Sequence, residues 1–378
     1  MTDYSSLANS ALRETLGLQG NRHSHLIGPT AEYEGVLIDL CPFDAKDEYG
    51  LAQGGSFRRI DRDTAFLLYP DPKEESYELL DAIESVVAPH GEKLVKLYFR
   101  IIHPSFPILH QRVWFEKYSR SHREFSPPLL AAVYILALHW WGFDRELAGA
   151  KKPDVAKLEK LAEKAMQDVV RSPKLGAVQA GLLLLQRNEE VKGSAWALTA
   201  QLVAVGQELG LHLDCTTWKI PRWEKGLRKR LAWGLYMQDK WGALTQGRPS
   251  HITRANWAVR PLEHEDFPDS VDGKDRTEEN EDGCQEVEKG RLLFGQMVAL
   301  TGILADVLDT FFTVEAQSAM DGRGATQQVL ERAKPIQIRL KEWFMKLPEC
   351  LRMDATNKNR RLSSTGDYSL PSSPRCKC

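Results

Sequence analysis

The chain has 378 residues, 42% of them hydrophobic and 27% charged, enough to bury a large core in one large domain or about two. Its 50 Lys/Arg against 52 Asp/Glu give a formal net charge of −2, which excludes a surface basic throughout; nucleic-acid contact would need a local patch or another segment. The start, MTDYSSLANSALRETLG, is no secretory signal, and the longest apolar runs, Leu129–Trp141 and Gly181–Leu185, are too short for bilayer spans, so a soluble intracellular protein is expected.

Residues 1–75 read as an irregular segment rich in Gly, Asp and Ser. Two apolar pieces, GVLIDL (35–40) and TAFLLYP (64–70), fit short strands or extended stretches laid on a larger body. His23 and His25 stand two apart, without a carboxylate or cysteine at a set spacing, and would chelate a metal only weakly. Beyond about residue 75 the apolar spacing turns helical: ESYELLDAIESVV places Leu79, Ile83 and Val86 on one face, and LVKLYFRIIH repeats the pattern until Pro104 stops it. In HPSFPILH, Pro104 and Pro107 fix the backbone between His103 and His110, and Phe106, Ile108 and Leu109 must enter the core. This predicts a stiff corner between helices, with its histidines meeting open carbonyls at a helix end, and not a catalytic pair.

SPPLLAAVYILALHWW starts with Ser126 as N-cap and Pro127 at the first helical position, and its apolar residues on all sides predict a helix buried all round. Helices follow over 153–170, from Ser172, over SAWALTAQLVAVGQELG to a C′ glycine at Gly210, over 224–242, over 289–313 and around 324–346. Residues 263–288 carry twelve Asp/Glu against two Lys/Arg and predict a solvated acidic loop; the polar tail 354–378 predicts disorder. The fold class is therefore all-α, a multi-helix bundle-like domain with an irregular N-terminal segment.

No HExxH, GxSxG, GxxxxGK[ST] or helix-opening GxGxxG occurs, and the six cysteines, Cys41, Cys215, Cys284, Cys350, Cys376 and Cys378, include no CxxC knuckle. The run 219–230, KIPRWEKGLRKR, holds six Lys/Arg against one Glu. Arg222, Lys225, Arg228 and Lys229 are candidate phosphate contacts there, against the alternative of a solvated face beside the acidic loop. Trp233, Met237 and Trp241 form one i,i+4 stripe, either core or the wall of a small-ligand pocket. In GRPSHI, Gly247 should take a left-handed C′ position and Pro249 should prevent the helix from resuming. Arg248 is then predicted to be buried, capping the last carbonyls or pairing with Asp239.

Together these segments resemble the regulatory, or middle homology, domain of fungal binuclear zinc-cluster transcription factors. LVKLYFRIIHPSFPILHQRVWFEKY (94–118) is similar to its opening helix and turn, with His103, Pro104, Phe106, Pro107 and His110. SPPLLAAVYILAL (126–138) resembles the next helix, and AWALTAQLVAVGQELGLHLD (195–214) the alanine-rich helix ending in Gly210, Leu211, His212 and Asp214. KGLRKRLAWGLYMQDKWGALTQGRPSHI (225–252) resembles the most diagnostic block, with Arg230, Trp233, Tyr236, Asp239, Gly247, Arg248 and Pro249. KEWFMKLPECL (341–351) resembles the closing block. The opening RHSHLIGPTAEYEG (22–35) resembles the nitrogen-pathway coactivator, or TamA-like, subgroup.

The resemblance implies a regulatory domain over 76–353, followed by the tail 354–378, and a nuclear regulator of RNA polymerase II genes, within nitrogen catabolism. It implies action through other regulators or coactivators, without catalysis or a cofactor in this chain. Zinc belongs to family members with the six-cysteine cluster, so DNA would be reached indirectly or through a cluster outside this sequence. The family domain continues past the closing block, so a domain shortened on its C-terminal side is expected. A metabolite-binding receptor domain is the alternative reading, and an uncharacterised enzyme a remote one.

Overall fold

The computed structural model describes residues 14–18, 22–33, 38, 40–52, 54–71, 76–167, 169, 172–187, 194–267, 278–320 and 324–352. The tail 354–378 and most of GVLIDL lie outside the described residues.

Within the N-terminal segment, where TAFLLYP reads as a short strand, the described residues fold a small antiparallel sheet. Its strands are β1 (Arg22–Leu26), β2 (Glu48–Gly50), β3 (Ser56–Asp61) and β4 (Thr64–Pro70), in the order β1-β4-β3-β2. TAFLLYP is the inner strand, and the run Ala65–Leu68 is buried. Short strands with polar edges give little alternation to read, so register carries the sheet: Leu68 lies opposite both Ser24 and Ser56. Ile60, Phe66 and Leu68 form a second core with Leu16, Cys215, Trp218 and Ile220, which fastens the sheet to the helical body.

Twelve helices follow among the described residues. They are α1 (Ser76–Val87), α2 (Gly91–Ile101), α3 (Gln111–Arg120), α4 (Pro127–His139), α5 (Arg145–Ala148), α6 (Val155–Met166), α7 (Leu175–Leu185), α8 (Ser194–Glu208), α9 (Arg222–Gln246), α10 (Glu278–Phe311), α11 (Val314–Ala319) and α12 (Ala325–Met345). Helix α4 is the axis of the body. Every residue from Pro128 to Leu138 is buried, because α1, α2, α6 and α7 surround it. At about 1.5–3 kcal/mol for each large aliphatic side chain taken from water, this burial outweighs any propensity of its β-branched residues. Helix α9 packs against α7, α8 and α10 and ends at Gly247, whose φ of 62° is left-handed.

The acidic stretch 263–288 is not one loop. His264–Asp266 form a 3₁₀ turn, and residues 278–288 are the first turns of α10. Acidic residues suit a helix N-terminus, where the macrodipole is positive, and this turns an apparently solvated run into a helix start. Helix α10 also corrects the reading of apolar runs. Its Glu286–Phe311 portion, of mean hydropathy 1.6, is by length and composition alone sufficient to cross a membrane, although no single run in it is long. It packs instead between α9 and α12, with 33% of its apolar window buried.

Candidate functional site

The HPSFPILH corner lies where α2, α7, α9 and α10 meet. His103 is buried, with its ring 4.9 Å from Phe99 and 6.3 Å from Tyr98. Burial, aided by the charge of Arg230, pushes its pKa down to about 3. His110 caps α3, its Nδ1 accepting from the Val113 amide at 3.3 Å. The corner's carbonyls are met by other side chains: Gln179 Nε2 donates to Ile108 O at 2.7 Å and Arg230 to Leu109 O at 3.3 Å. His103 thus fills a ring cluster, and His110 receives an amide where the sequence reading had a carbonyl. Phe106 meets Phe294 of α10, and the carbonyl of Pro104 abuts Gly290 so closely that a Cβ there would overlap it.

The basic run at the start of α9 points mostly inward. Glu224 is wholly buried and accepts from Thr15 Oγ1 (2.6 Å), the amides of Leu16 and Gly17 (2.9 Å each) and Arg228 Nε (3.0 Å). Arg228 is 2% exposed and also donates to Leu209 O at 2.8 Å. Arg58 donates to Thr15 O and Glu14 O, so residues 14–17 are clamped between the sheet and α9. Lys229 is buried against Asp266 at 2.5 Å, and Arg230 donates to Asp266 O at 2.7 Å. Arg222, paired with Glu265, and Lys225, bonded to Thr216 O, remain near the surface. The four candidate phosphate contacts thus divide. Two are buried ionic struts and two lie at the rim, and the single acid in the run is the hub that composition understated.

The remaining motif residues converge on the chain after α9. Asp239 is wholly buried; it accepts from Ser250 Oγ (2.5 Å), the His251 amide and Nδ1 (2.9 Å each) and the Ile252 amide (3.0 Å). Lys240 donates to Ser250 Oγ and Ile252 O at 2.6 Å. Arg248 is exposed, as is Pro249, and its side chain makes no hydrogen bond among the described residues. The prediction that it is buried against Asp239 fails, because Gly247 turns the chain so that residues 250–252 reach the carboxylate instead. Gly210, with φ 68°, reverses the chain after α8 and holds Phe66 and Trp218 3.0 Å from where a Cβ would stand. Beyond it, His212 O accepts from Ala258 N at 2.9 Å, Asp214 pairs with Arg260 at 2.6 Å, and Trp233 Nε1 donates to Arg260 O at 2.9 Å. Tyr236 lies 4.9 Å from Trp257.

Between these two motifs is a crevice of ≈ 80 Å³, with Leu211, Leu235 and Ile252 among its walls and His212, His251 and Trp257 beside them. Drug-sized ligands occupy roughly 300–1,000 Å³, so a large metabolite does not fit. His23 and His25 bind separate carboxylates, Asp71 at 2.9 Å and Glu208 at 3.0 Å, and tie the sheet to itself and to α8.

Residues 95–345 match the family of the fungal specific transcription factor domain. The chain is 38% identical to the transcriptional activator protein DAL81 of Saccharomyces cerevisiae, over 92% of this chain and 39% of that protein. It is 31% identical to an uncharacterized transcriptional regulatory protein of Schizosaccharomyces pombe, over 64% of the chain and 35% of that protein. It is 23% identical to the acetamidase regulatory protein of Aspergillus oryzae, over 74% and 33% respectively. The chain thus spans about a third to two fifths of the length of these relatives. No solved structure matches it.

Proposed function

The chain belongs to the fungal specific transcription factor family, a family of regulators and not of catalysts, and from that premise we propose that it recruits other regulators through the face formed by α10–α12. One observation carries the reading. No residue of α12 is buried, and Val314 (79%), Phe344 (69%) and Leu330 (60%) stand exposed with Ile338 and Met345 on the C-terminal helices and Phe312 on the turn between two of them. A partner lying along these helices would cover them. Residues 325–352 also carry six Lys/Arg against three Glu, in a chain whose net charge is −2. An apolar face with a basic fringe suits an acidic amphipathic helix of a partner regulator, laid against it by its apolar stripe.

Such a role places the protein in the nucleus, acting on RNA polymerase II genes. A relative named as an acetamidase regulator supports a nitrogen-catabolic setting, as does the likeness to DAL81 together with the TamA-like opening segment. DNA is then reached through partners, or through residues outside this chain; of the four candidate phosphate contacts, Arg222 and Lys225 lie at the surface. The test is fluorescence polarisation with a labelled acidic amphipathic peptide. The wild-type chain should bind in the micromolar range, and Leu330→Glu with Phe344→Glu should weaken binding at least about tenfold without lowering the melting temperature. Equal binding by wild type and the double variant, or no binding by folded wild type, rejects the proposal.

A further inference from the structure

The outer strand β1 carries two imidazoles side by side. His23 and His25 stand two apart on it, which puts both side chains on one face of the sheet. Same-face residues of a strand are roughly 6.6 Å apart along the backbone. The two ring centres are only 5.3 Å apart, so the rings lean together, and their planes cross at 76° without stacking. Tyr69, opposite His23 on β4, lies 5.9 and 6.0 Å from the two rings and braces them.

Each ring is held through one nitrogen alone. His23 Nδ1 lies 2.9 Å from Asp71 Oδ1, and His25 Nδ1 lies 3.0 Å from Glu208 Oε2. An ionised carboxylate only accepts, so Nδ1 carries the hydrogen in both rings, and the neutral ring keeps its lone pair on Nε2. Asp71 pairs with Lys174 as well and is thereby fixed in place. Neither Nε2 has a hydrogen-bond partner among the described residues, and neither is sealed from solvent. The side chains are 10% and 30% exposed. Carboxylate–histidine pairs of this kind support metal-bound imidazoles: they fix the tautomer and make the ligating nitrogen more basic. The spacing of residues in the chain shows none of this, because one carboxylate follows β4 and the other ends α8.

We propose that His23 Nε2 and His25 Nε2 together bind one divalent late transition-metal ion, zinc in the first instance, with Asp71 and Glu208 as its outer shell. At zinc–nitrogen distances of about 2.0–2.1 Å, two imidazoles on one tetrahedral ion have their centres roughly 5 Å apart. The pair already has about that separation. Imidazole suits zinc, copper or nickel, whereas magnesium and calcium prefer oxygen ligands. No group of three His, Cys, Asp or Glu side chains suited to a metal occurs among the described residues, so water completes the shell. Such a site exchanges its ion and holds it far less tightly than a closed four-ligand one. A zinc Kd of roughly 10⁻⁵ M is expected. A bound ion also draws charge from each ring, which strengthens the Nδ1–H donors and tightens β1 on α8 through Glu208.

The full chain, kept reduced, is titrated with zinc chloride by calorimetry, and separately with magnesium chloride. Wild type should bind zinc at least about a hundredfold more tightly than magnesium. His23→Gln and His25→Gln each remove one ligand, and each should weaken zinc binding at least about tenfold. Glu208→Ala keeps both ligands but removes the anchor of His25, and should weaken binding about 10–100-fold. The Glu208 side chain is 53% exposed, so its loss spares the core. Should His23→Gln, the more enclosed of the two, unfold, His25→Gln and Glu208→Ala decide. Zinc held only by cysteines or by other histidines would leave the variants unchanged. Zinc affinity unchanged in any of the folded variants, no zinc binding by wild type up to about 1 mM, or equal affinity for zinc and magnesium overturns the proposal.

Discussion

His103 makes the corner motif sensitive to acid. The folded ring takes up a proton only near pH 3, against 6.5 for an unburied ring. Between those values the unfolded state binds more protons, so stability falls as pH drops through that window. At pH 5 the cost is about 2 kcal/mol, from about 1.4 kcal/mol per pH unit below 6.5. Urea unfolding at pH 7 and pH 5 should show that loss in the wild type, and a smaller loss in His103→Phe; equal losses in the two proteins would count against the linkage. Glu224 acts as a buried charge. Glu224→Gln leaves Arg228 buried beside an uncharged group and loosens the hold on residues 14–17, so it should cost about 3–5 kcal/mol and expose that segment to proteases. A change under 1 kcal/mol in chemical denaturation would show that the node is not a stabilising hub. Arg248 teaches the converse. An acid and an arginine nine positions apart look like a pair in a string of letters, but a left-handed glycine between them sends one to solvent.

Among the elements, α4 was legible because an apolar surface on all sides has one stable location. The lengths of α9 and α10 were read short, since their ends are polar and are fixed by caps and by the packing of other segments. Helix α3 escaped notice: QRVWFEKYSR buries only Val113 and Trp114, too few positions to set a period. Of the sheet only TAFLLYP reads as a strand, because strands of three to seven residues carry almost no pattern until they pair. The corner motif could be read as a scaffold, whereas the crevice could not, for its walls come from three stretches between Val203 and Trp257. Gly290 gives a test at this scale. Alanine there would drive its Cβ into the carbonyl of Pro104, so Gly290→Ala should cost about 2 kcal/mol or more and move α10 off the corner. Gly302, on the same helix, has open space at the same atom, and Gly302→Ala should raise stability by up to about 1 kcal/mol. Thermal melts of the two variants moving in the same direction would contradict the packing described.

At the scale of the whole molecule, the core and the C-terminal helices have different standing. Helix α12 buries no residue and contacts the body through α10, with Arg339 paired to Asp306. Deleting 325–352 should therefore leave the melting temperature of the remainder within a few degrees and abolish binding of the acidic amphipathic peptide. Collapse of the truncated chain in scanning fluorimetry would show that α12 belongs to the core. The clamp on residues 14–17 has a consequence in time. Thr15 meets Glu224 across 209 residues of sequence. A ribosome adding about 5–20 residues per second takes roughly 10–40 s to deliver the second after the first. For most of that interval Leu16, Ile60, Phe66 and Leu68 have been made, but their wall of Trp218 and Ile220 has not. Residues 14–17 and the sheet are thus sealed only long after they are made, and on the ribosome they are a natural client for chaperones.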